Sequence, residues 1–126
     1  DVEDARLAAA SGADALIVSN HGGRQLDGAP SSIAALPAIV DAVGREIEVW
    51  MDGGIRSGQD VLKARALGAR GTLIGRSFLY GLGAYGQAGV TRALQILHKE
   101  LDVTMAFCGR TDIEKVDSSI LLPGTF

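Results

Sequence analysis

Apolar and polar positions along this chain change their period several times, and each change marks a predicted element. Val2 to Ala10 is alanine-rich and helical in character, with Asp1 where an N-cap belongs and Asp4 adding an acid to the first turn. Gly12 stands where a helix C-terminal glycine belongs, and Ala15-Leu-Ile-Val18 comes next as an apolar run without polar alternation. Such a run reads as a strand buried on both faces, the habit of parallel sheets covered by helices. A second helix is predicted over Ser32 to Val43 and a second strand over Ile47 to Met51. Beyond Arg76, a short helix is expected over Phe78 to Tyr85 and a longer one over Gly89 to Phe107. The longer one carries Val90, Leu94, Leu97, Leu101 and Met105 on one face, and Gly109 ends it. The tail from Arg110 to Phe126 has no regular period, and Pro123-Gly124 marks a turn in it.

One phrase occurs twice. Ala8-Ala-Ala-Ser-Gly-Ala-Asp-Ala-Leu-Ile-Val-Ser19 parallels Ala64-Arg-Ala-Leu-Gly-Ala-Arg-Gly-Thr-Leu-Ile-Gly75, with Gly12 on Gly68 and Ala13 on Ala69. The offset from Gly12 to Gly68 is 56 positions and encloses one further strand. It therefore holds two strand-helix units of about 28 residues, and eight such units make a barrel of about 250 residues. Chance similarity between two alanine- and glycine-rich stretches is the competing account. The loops after the strands favour the barrel: His21 and Arg24 come after Val18, Asp52-Gly-Gly-Ile-Arg56 after Met51, and Gly75-Arg76 after Ile74. Polar and glycine residues collect at the carboxyl ends, where parallel α/β proteins place ligands.

Composition narrows the partners. A chain of 126 residues, 47% of them hydrophobic, fits one domain. Its 12 basic and 15 acidic residues are mixed along the chain, for a net charge of −3, so no basic stripe offers itself to nucleic acid. Cys108 is the single cysteine, which excludes an internal disulfide and a cysteine metal cluster and is expected as a buried core thiol in a reducing compartment. No apolar run reaches the roughly 20 residues that span a bilayer, and Asp1, Glu3 and Asp4 do not resemble a signal peptide. A cytoplasmic setting is expected, with contact at the inner face of a bacterial plasma membrane left open. A helix that starts at once, at Asp1, leads to the expectation that more chain precedes it.

The candidate chemistry lies in the three strand ends. In Asp52-Gly53-Gly54-Ile55-Arg56 and Gly75-Arg76, glycines let backbone N–H groups approach a phosphate and arginine supplies a fork-shaped donor. Asp52 suits the hydroxyls of a ribityl or ribose chain. The alternative is that these glycines are tight turns, that Arg56 and Arg76 are solvated, and that Asp52 caps a helix beginning near Ser57. Ser19-Asn20-His21-Gly22-Gly23-Arg24-Gln25-Leu26-Asp27-Gly28 is the densest run of functional side chains. Arg24 can clamp a carboxylate bidentately while the His21 imidazole takes a proton. His98, between Leu97 and Lys99, has no polar cluster around it and reads as structural, and Cys108 has no histidine partner that would make it a nucleophile.

These residues resemble the FMN-dependent α-hydroxy-acid dehydrogenases and oxidases, a family of (β/α)8 barrels. The resemblance covers nearly the whole chain and rests on Ser19-Asn-His-Gly-Gly-Arg-Gln-Leu-Asp27, Asp52-Gly-Gly-Ile-Arg56, and Leu67-Gly-Ala69 with Ile74-Gly-Arg76. It implies that residues 1–126 are a C-terminal half-barrel segment, about strands 6 to 8 with their helices, of an FMN-binding TIM barrel. By the same resemblance His21 is the active-site base, Arg24 binds the substrate carboxylate and Ser19 lies against the flavin. Asp52, Gly53, Gly54, Ile55 and Arg56 would hold the ribityl phosphate arm, and Gly75 and Arg76 would close around the phosphate. The implied reaction oxidises a small 2-hydroxy acid to the 2-oxo acid.

Tyr80-Gly-Leu-Gly-Ala-Tyr85-Gly-Gln-Ala-Gly-Val90 and Leu121-Leu-Pro-Gly-Thr125 look most like the bacterial respiratory L-lactate dehydrogenases, which makes L-lactate the expected substrate, with glycolate or mandelate as alternatives. The electron acceptor (quinone, cytochrome or oxygen) and self-association are left open. The flavin-facing lysine, the pocket tyrosines and the acid that orients the histidine belong to earlier strands, so the remainder of the barrel is an expected partner and the segment alone is expected to be inactive. Inosine-monophosphate dehydrogenases and type 2 isopentenyl-diphosphate isomerases share the Asp-Gly-Gly and Gly-Ala patterns, but do not pair them with His-Gly-Gly-Arg.

Overall fold

A computed structural model describes residues 1–124. Helix α1 (Val2–Ala10) leads into strand β1 (Ala15–Val18), helix α2 (Ser32–Val43) into β2 (Glu48–Met51), and α3 (Gly58–Ala66) into β3 (Gly71–Thr72). A long helix, α4 (Arg76–Phe107), and two 3₁₀ turns, Ile113–Lys115 and Ser118–Ile120, complete the chain. The three strands are parallel in the order β1-β2-β3, with Val18 paired to Met51 and Met51 to Thr72.

Both copies of the repeated phrase end a helix in one conformation. Gly12 and Gly68 have φ of +87° and +99°. The Gly12 and Ala13 N–H groups bond to the carbonyls of Ala9 and Ala8, and those of Gly68 and Ala69 to Arg65 and Ala64. A left-handed residue is needed to turn these two donors back onto the last helical turn, and glycine accepts that conformation without a Cβ penalty. The phrase recurs because it codes the corner from helix to strand.

The helices cover one face of the sheet. Val18, Val49 and Met51 point into a core with Ala5, Leu36, Ile39, Val43, Ile55, Ala64 and Ala69. On the opposite face Ile17 and Leu73 are 52% and 41% exposed. The expectation of a strand buried on both faces is thus met on one face only, and Ala15 and Ile17 of β1 lie open. Trp50, on that open face, lies over Gly71, where a Cβ would stand 2.5 Å from the indole ring. Its Nε1 donates to Glu48 Oε2 at 2.9 Å.

Strand β3 is shorter than its apolar run. After Thr72 one further bond, from the Leu73 N–H to the Met51 carbonyl, holds the chain before it turns to Gly75. The two predicted C-terminal helices are limbs of α4, separated by non-helical Tyr85 and Gly86. The limbs cross where Gly81 meets Gly89, so closely that a Cβ on Gly89 would fall 1.8 Å from the Gly81 carbonyl oxygen. Leu101 and Met105 pack on Leu62, Ala66 and Val116, whereas Leu94, expected on the same face, is 51% exposed. Cys108 is not the buried thiol expected: it caps α4 beyond the last contacts of that helix, and it is exposed. Arg65 fixes the tail by donating to the carbonyls of Ile113 and Glu114 at 3.1 and 3.2 Å. No helix among the described residues is long and apolar enough to cross a membrane.

Candidate active site

Each strand ends in a turn that points its side chains to one place. After β1, the His21 N–H donates to Ser19 Oγ at 3.1 Å, the Gly23 N–H to the Asn20 carbonyl at 3.0 Å and the Arg24 N–H to the His21 carbonyl at 3.4 Å. The turn carries three successive left-handed residues, His21 (φ +54°), Gly22 (+68°) and Gly23 (+72°). His21 is the only non-glycine with positive φ among the described residues. A β-carbon there is strained by about 1–2 kcal/mol, and such strain concentrates at functional positions. The glycines after His21 let the chain reverse within three residues, so that His21 and Arg24 border one cleft.

After β2, the Asp52 N–H still belongs to the sheet, donating to the Val18 carbonyl at 3.1 Å, and Gly53 and Gly54 then turn the backbone at φ +83° and +81°. Asp52 does not cap the next helix. Ser57 does, in a capping box with Asp60, whose Oδ2 also accepts the Arg56 N–H at 3.0 Å. Asp52 is left free for a ligand, and its Oδ1 is buried with no partner. After β3, Gly75 begins α4 without a side-chain cap, and Ser77 Oγ donates to the Ile55 carbonyl at 3.1 Å, tying the third turn to the second.

The three turns enclose a cleft of about 1080 Å³ across the carboxyl end of the sheet. His21, Arg24, Asp52, Gly53, Gly54, Ile55, Arg56, Gly75 and Arg76 all line it. Of the residues expected at the site only Ser19 does not, its hydroxyl instead accepting the His21 N–H. Arg76 reaches past β2 to the first turn, with Nη2 3.7 Å from where a Cβ on Gly22 would be.

No ion pair among the described residues involves Arg24, Arg56 or Arg76, although Arg6, Arg65, Arg70 and Arg110 are all paired. Three unneutralised guanidiniums around one opening make a strongly cationic cleft in a chain of net charge −3. The N–H groups of Gly53, Gly54, Gly75 and Arg76 are likewise outside the hydrogen bonds of the chain. Unused amides, an uncapped helix start and forked cations together suit a phosphate, and a second carboxylate or phosphate can meet the remaining guanidinium. No group of three or more metal-ligating side chains occurs among the described residues.

Residues 1–123 match the FMN-dependent dehydrogenase family. The chain belongs to this family. Its α/β fold with a parallel sheet is that of FMN-dependent barrel enzymes: it superposes on mandelate oxidase with a TM-score of 0.90 at 49% identity, covering 94% of this chain and 36% of that one. A mandelate oxidase variant bearing a monooxide FMN adduct gives 0.87 at 51% identity, over 90% of this chain and 36% of that one. Among curated relatives, L-lactate dehydrogenase of Caulobacter vibrioides is 56% identical over 96% of this chain and 32% of its own length. L-lactate oxidase of Nostoc sp. is 53% identical over 94% of this chain and 33% of its own length. Pre-mycofactocin synthase of Mycolicibacterium smegmatis is 51% identical over 99% of this chain and 32% of its own length. This FMN-dependent dehydrogenase family member thus spans about a third of the length of the curated relatives it matches.

Two residues of the site region were not singled out from sequence. Ser32 is buried at the start of α2, where Ser31 is the N-cap yet forms no side-chain capping bond, so the Ser-Ser pair read only as a helix start. Glu100, in the middle of α4, accepts the Gly58 N–H at 2.9 Å and braces α3 behind the Arg56 turn. It left no signal, because its partner lies 42 residues away.

Proposed function

We propose that this chain is the substrate- and flavin-anchoring part of an FMN-dependent enzyme that oxidises an L-α-hydroxy acid, L-lactate first among them, to the 2-oxo acid. In this reading it supplies about strands 6 to 8 of the (β/α)8 barrel, and the rest of the barrel completes the pocket. The observation that carries the reading is the convergence of His21, Arg24, Asp52–Arg56 and Gly75–Arg76 on one cleft.

The donor set fits FMN. The amides of Gly53, Gly54, Gly75 and Arg76, with the Arg56 and Arg76 guanidiniums, match a phosphate dianion. Asp52, buried and unpaired at Oδ1, suits a ribityl hydroxyl as donor. When bound, FMN supplies the acceptor for the two electrons that leave the substrate α-carbon. Arg24 pairs with the substrate carboxylate and fixes the acid in one orientation. His21 then receives a proton from the substrate: from the hydroxyl if the α-hydrogen leaves as hydride, or from the α-carbon if it leaves as a proton. The fixed left-handed backbone of His21 keeps its side chain at the mouth of the cleft while it does so.

For the 126 residues alone, we propose phosphate or flavin binding without turnover, because the open sheet face with Ile17 and Leu73 awaits the rest of a barrel. Grafting the chain in place of the matching third of Caulobacter vibrioides L-lactate dehydrogenase tests the assignment. The graft is expected to hold FMN and oxidise L-lactate. Loss of lactate oxidation with FMN still bound would move the reading to another hydroxy acid, glycolate or mandelate, and loss of FMN binding would refute it.

A further inference from the structure

Three buried side-chain oxygens among the described residues have no hydrogen-bond partner: Asn20 Oδ1, Ser32 Oγ and Asp52 Oδ1. Buried polar atoms are nearly always paired, so three around one turn require a reason. Asp52 borders the cleft and can meet a ligand hydroxyl. Asn20 and Ser32 do not border it. Their oxygens lie behind Gly53 instead, 3.0 Å (Ser32 Oγ) and 3.1 Å (Asn20 Oδ1) from the point where a Cβ on that glycine would stand.

The chemistry of the two groups is complementary. An amide oxygen only accepts, whereas a hydroxyl accepts and donates and its hydrogen rotates freely. The two oxygens do not bond each other directly, but one bridging water can accept the Ser32 hydrogen and donate its own to Asn20 Oδ1. We propose that Ser32 and Asn20 are a positioning pair that fastens the His21 turn to the Asp52–Gly54 turn and so sets the geometry of the flavin cradle.

Asn20 is placed for this. It precedes His21, its carbonyl accepts the Gly23 N–H, and its Nδ2 donates to the Pro30 carbonyl at 3.3 Å, just before α2. Ser32 opens that helix and is 4% exposed. The pair thus joins β1, α2 and the turn after β2 at one point, and Gly53 must be glycine for the two oxygens to close on it. The geometry stands on its own; its consequence for flavin rests on the proposed function.

The test is Ser32→Ala in the full chain. If the hydroxyl is idle, removing an unpaired buried oxygen raises the melting temperature or leaves it unchanged. The pairing predicts the opposite: a lower melting temperature and faster amide exchange at Gly22, Gly23, Gly53 and Gly54, with the end of α3 near Ala69 unaffected. Ser32→Thr keeps the hydroxyl and is expected to restore both. In the Caulobacter graft, Ser32→Ala is expected to weaken FMN binding about fivefold, the equivalent of one ordinary hydrogen bond, as read by flavin fluorescence. An unchanged or raised melting temperature overturns the pair. A graft that takes up no FMN with Ser32 in place overturns the functional reading instead, and the melting comparison then decides the pair alone.

Discussion

Gly53→Ala isolates the wall behind the second turn. At φ +83° an alanine pays the left-handed conformational cost, about 1–2 kcal/mol. Its methyl would also stand 3.0 Å from Ser32 Oγ and 3.1 Å from Asn20 Oδ1. Both oxygens are buried and would have to give way, which adds about 1 kcal/mol or more. Gly54 provides the control: its φ is +81°, but a Cβ there meets nothing within 4 Å. Gly54→Ala therefore carries only the conformational cost. With roughly 3–5 °C of melting temperature per kcal/mol for a chain of this size, Gly53→Ala is expected to melt about 6–15 °C lower than the parent and Gly54→Ala about 3–10 °C lower. Far-ultraviolet circular dichroism on the two variants in parallel measures the difference. Equal losses would refute the reasoning, since they would mean that the wall of Ser32 and Asn20 exerts no pressure on the turn.

Gly89→Ala sets a β-carbon 1.8 Å from a backbone oxygen of Gly81, which no rotamer change relieves; it is expected to cost about 3 kcal/mol or more and to separate the limbs of α4, seen as a large fall in melting temperature. Arg76→Leu removes one of the three unpaired guanidiniums of the cleft and, in the Caulobacter graft, is expected to weaken FMN binding by at least tenfold, measured by flavin titration, with the apo fold unchanged by circular dichroism. Asp117 is held below the usual carboxylate range by the Ser119 hydroxyl and the Ser119 N–H, with Arg110 adding to the effect. A lowered folded-state value stabilises the tail turn above the ordinary carboxylate range and loses that contribution as pH falls through the lowered value. The protection factor of the Ser119 amide, its exchange rate corrected for the intrinsic pH dependence, is therefore expected to fall on acidification below about pH 4, and Asp117→Asn to remove that dependence.

Much of this arrangement is written in local sequence, because local rules govern it. The helix ends at Gly12, Gly68 and Gly109 each need a left-handed residue, the start of α1 arises from its Asp1 cap, and the extent of α2 follows its apolar spacing. The three site motifs were legible for the same reason: each is a run of glycine and charge directly after an apolar strand. The features that stayed hidden depend on contacts remote in sequence. The Glu100 brace of α3, the Arg65 hold on the tail and the burial of Ser32 arise from residues brought together by the sheet, and no spacing announces them. Cys108 misled because a lone cysteine reads by default as a buried thiol, yet α4 runs past its last partner there and the neighbouring Phe107 is 87% exposed. The apolar run of β1 reads as a strand covered on both faces, whereas the helices here cover only one of them. Asp112 and Asp117 each cap a short 3₁₀ turn, a signal present in the tail that apolar periodicity does not detect.

The central claim is that His21 is the base of a hydroxy-acid oxidation whose flavin is held by the two turns beside it. The measurement that meets it most directly is the anaerobic absorbance of the FMN-loaded Caulobacter graft on addition of L-lactate, with His21 intact and as His21→Gln. The account predicts that the parent graft bleaches, whereas His21→Gln retains its FMN and stays oxidised for orders of magnitude longer. Bleaching of His21→Gln at an undiminished rate would contradict it.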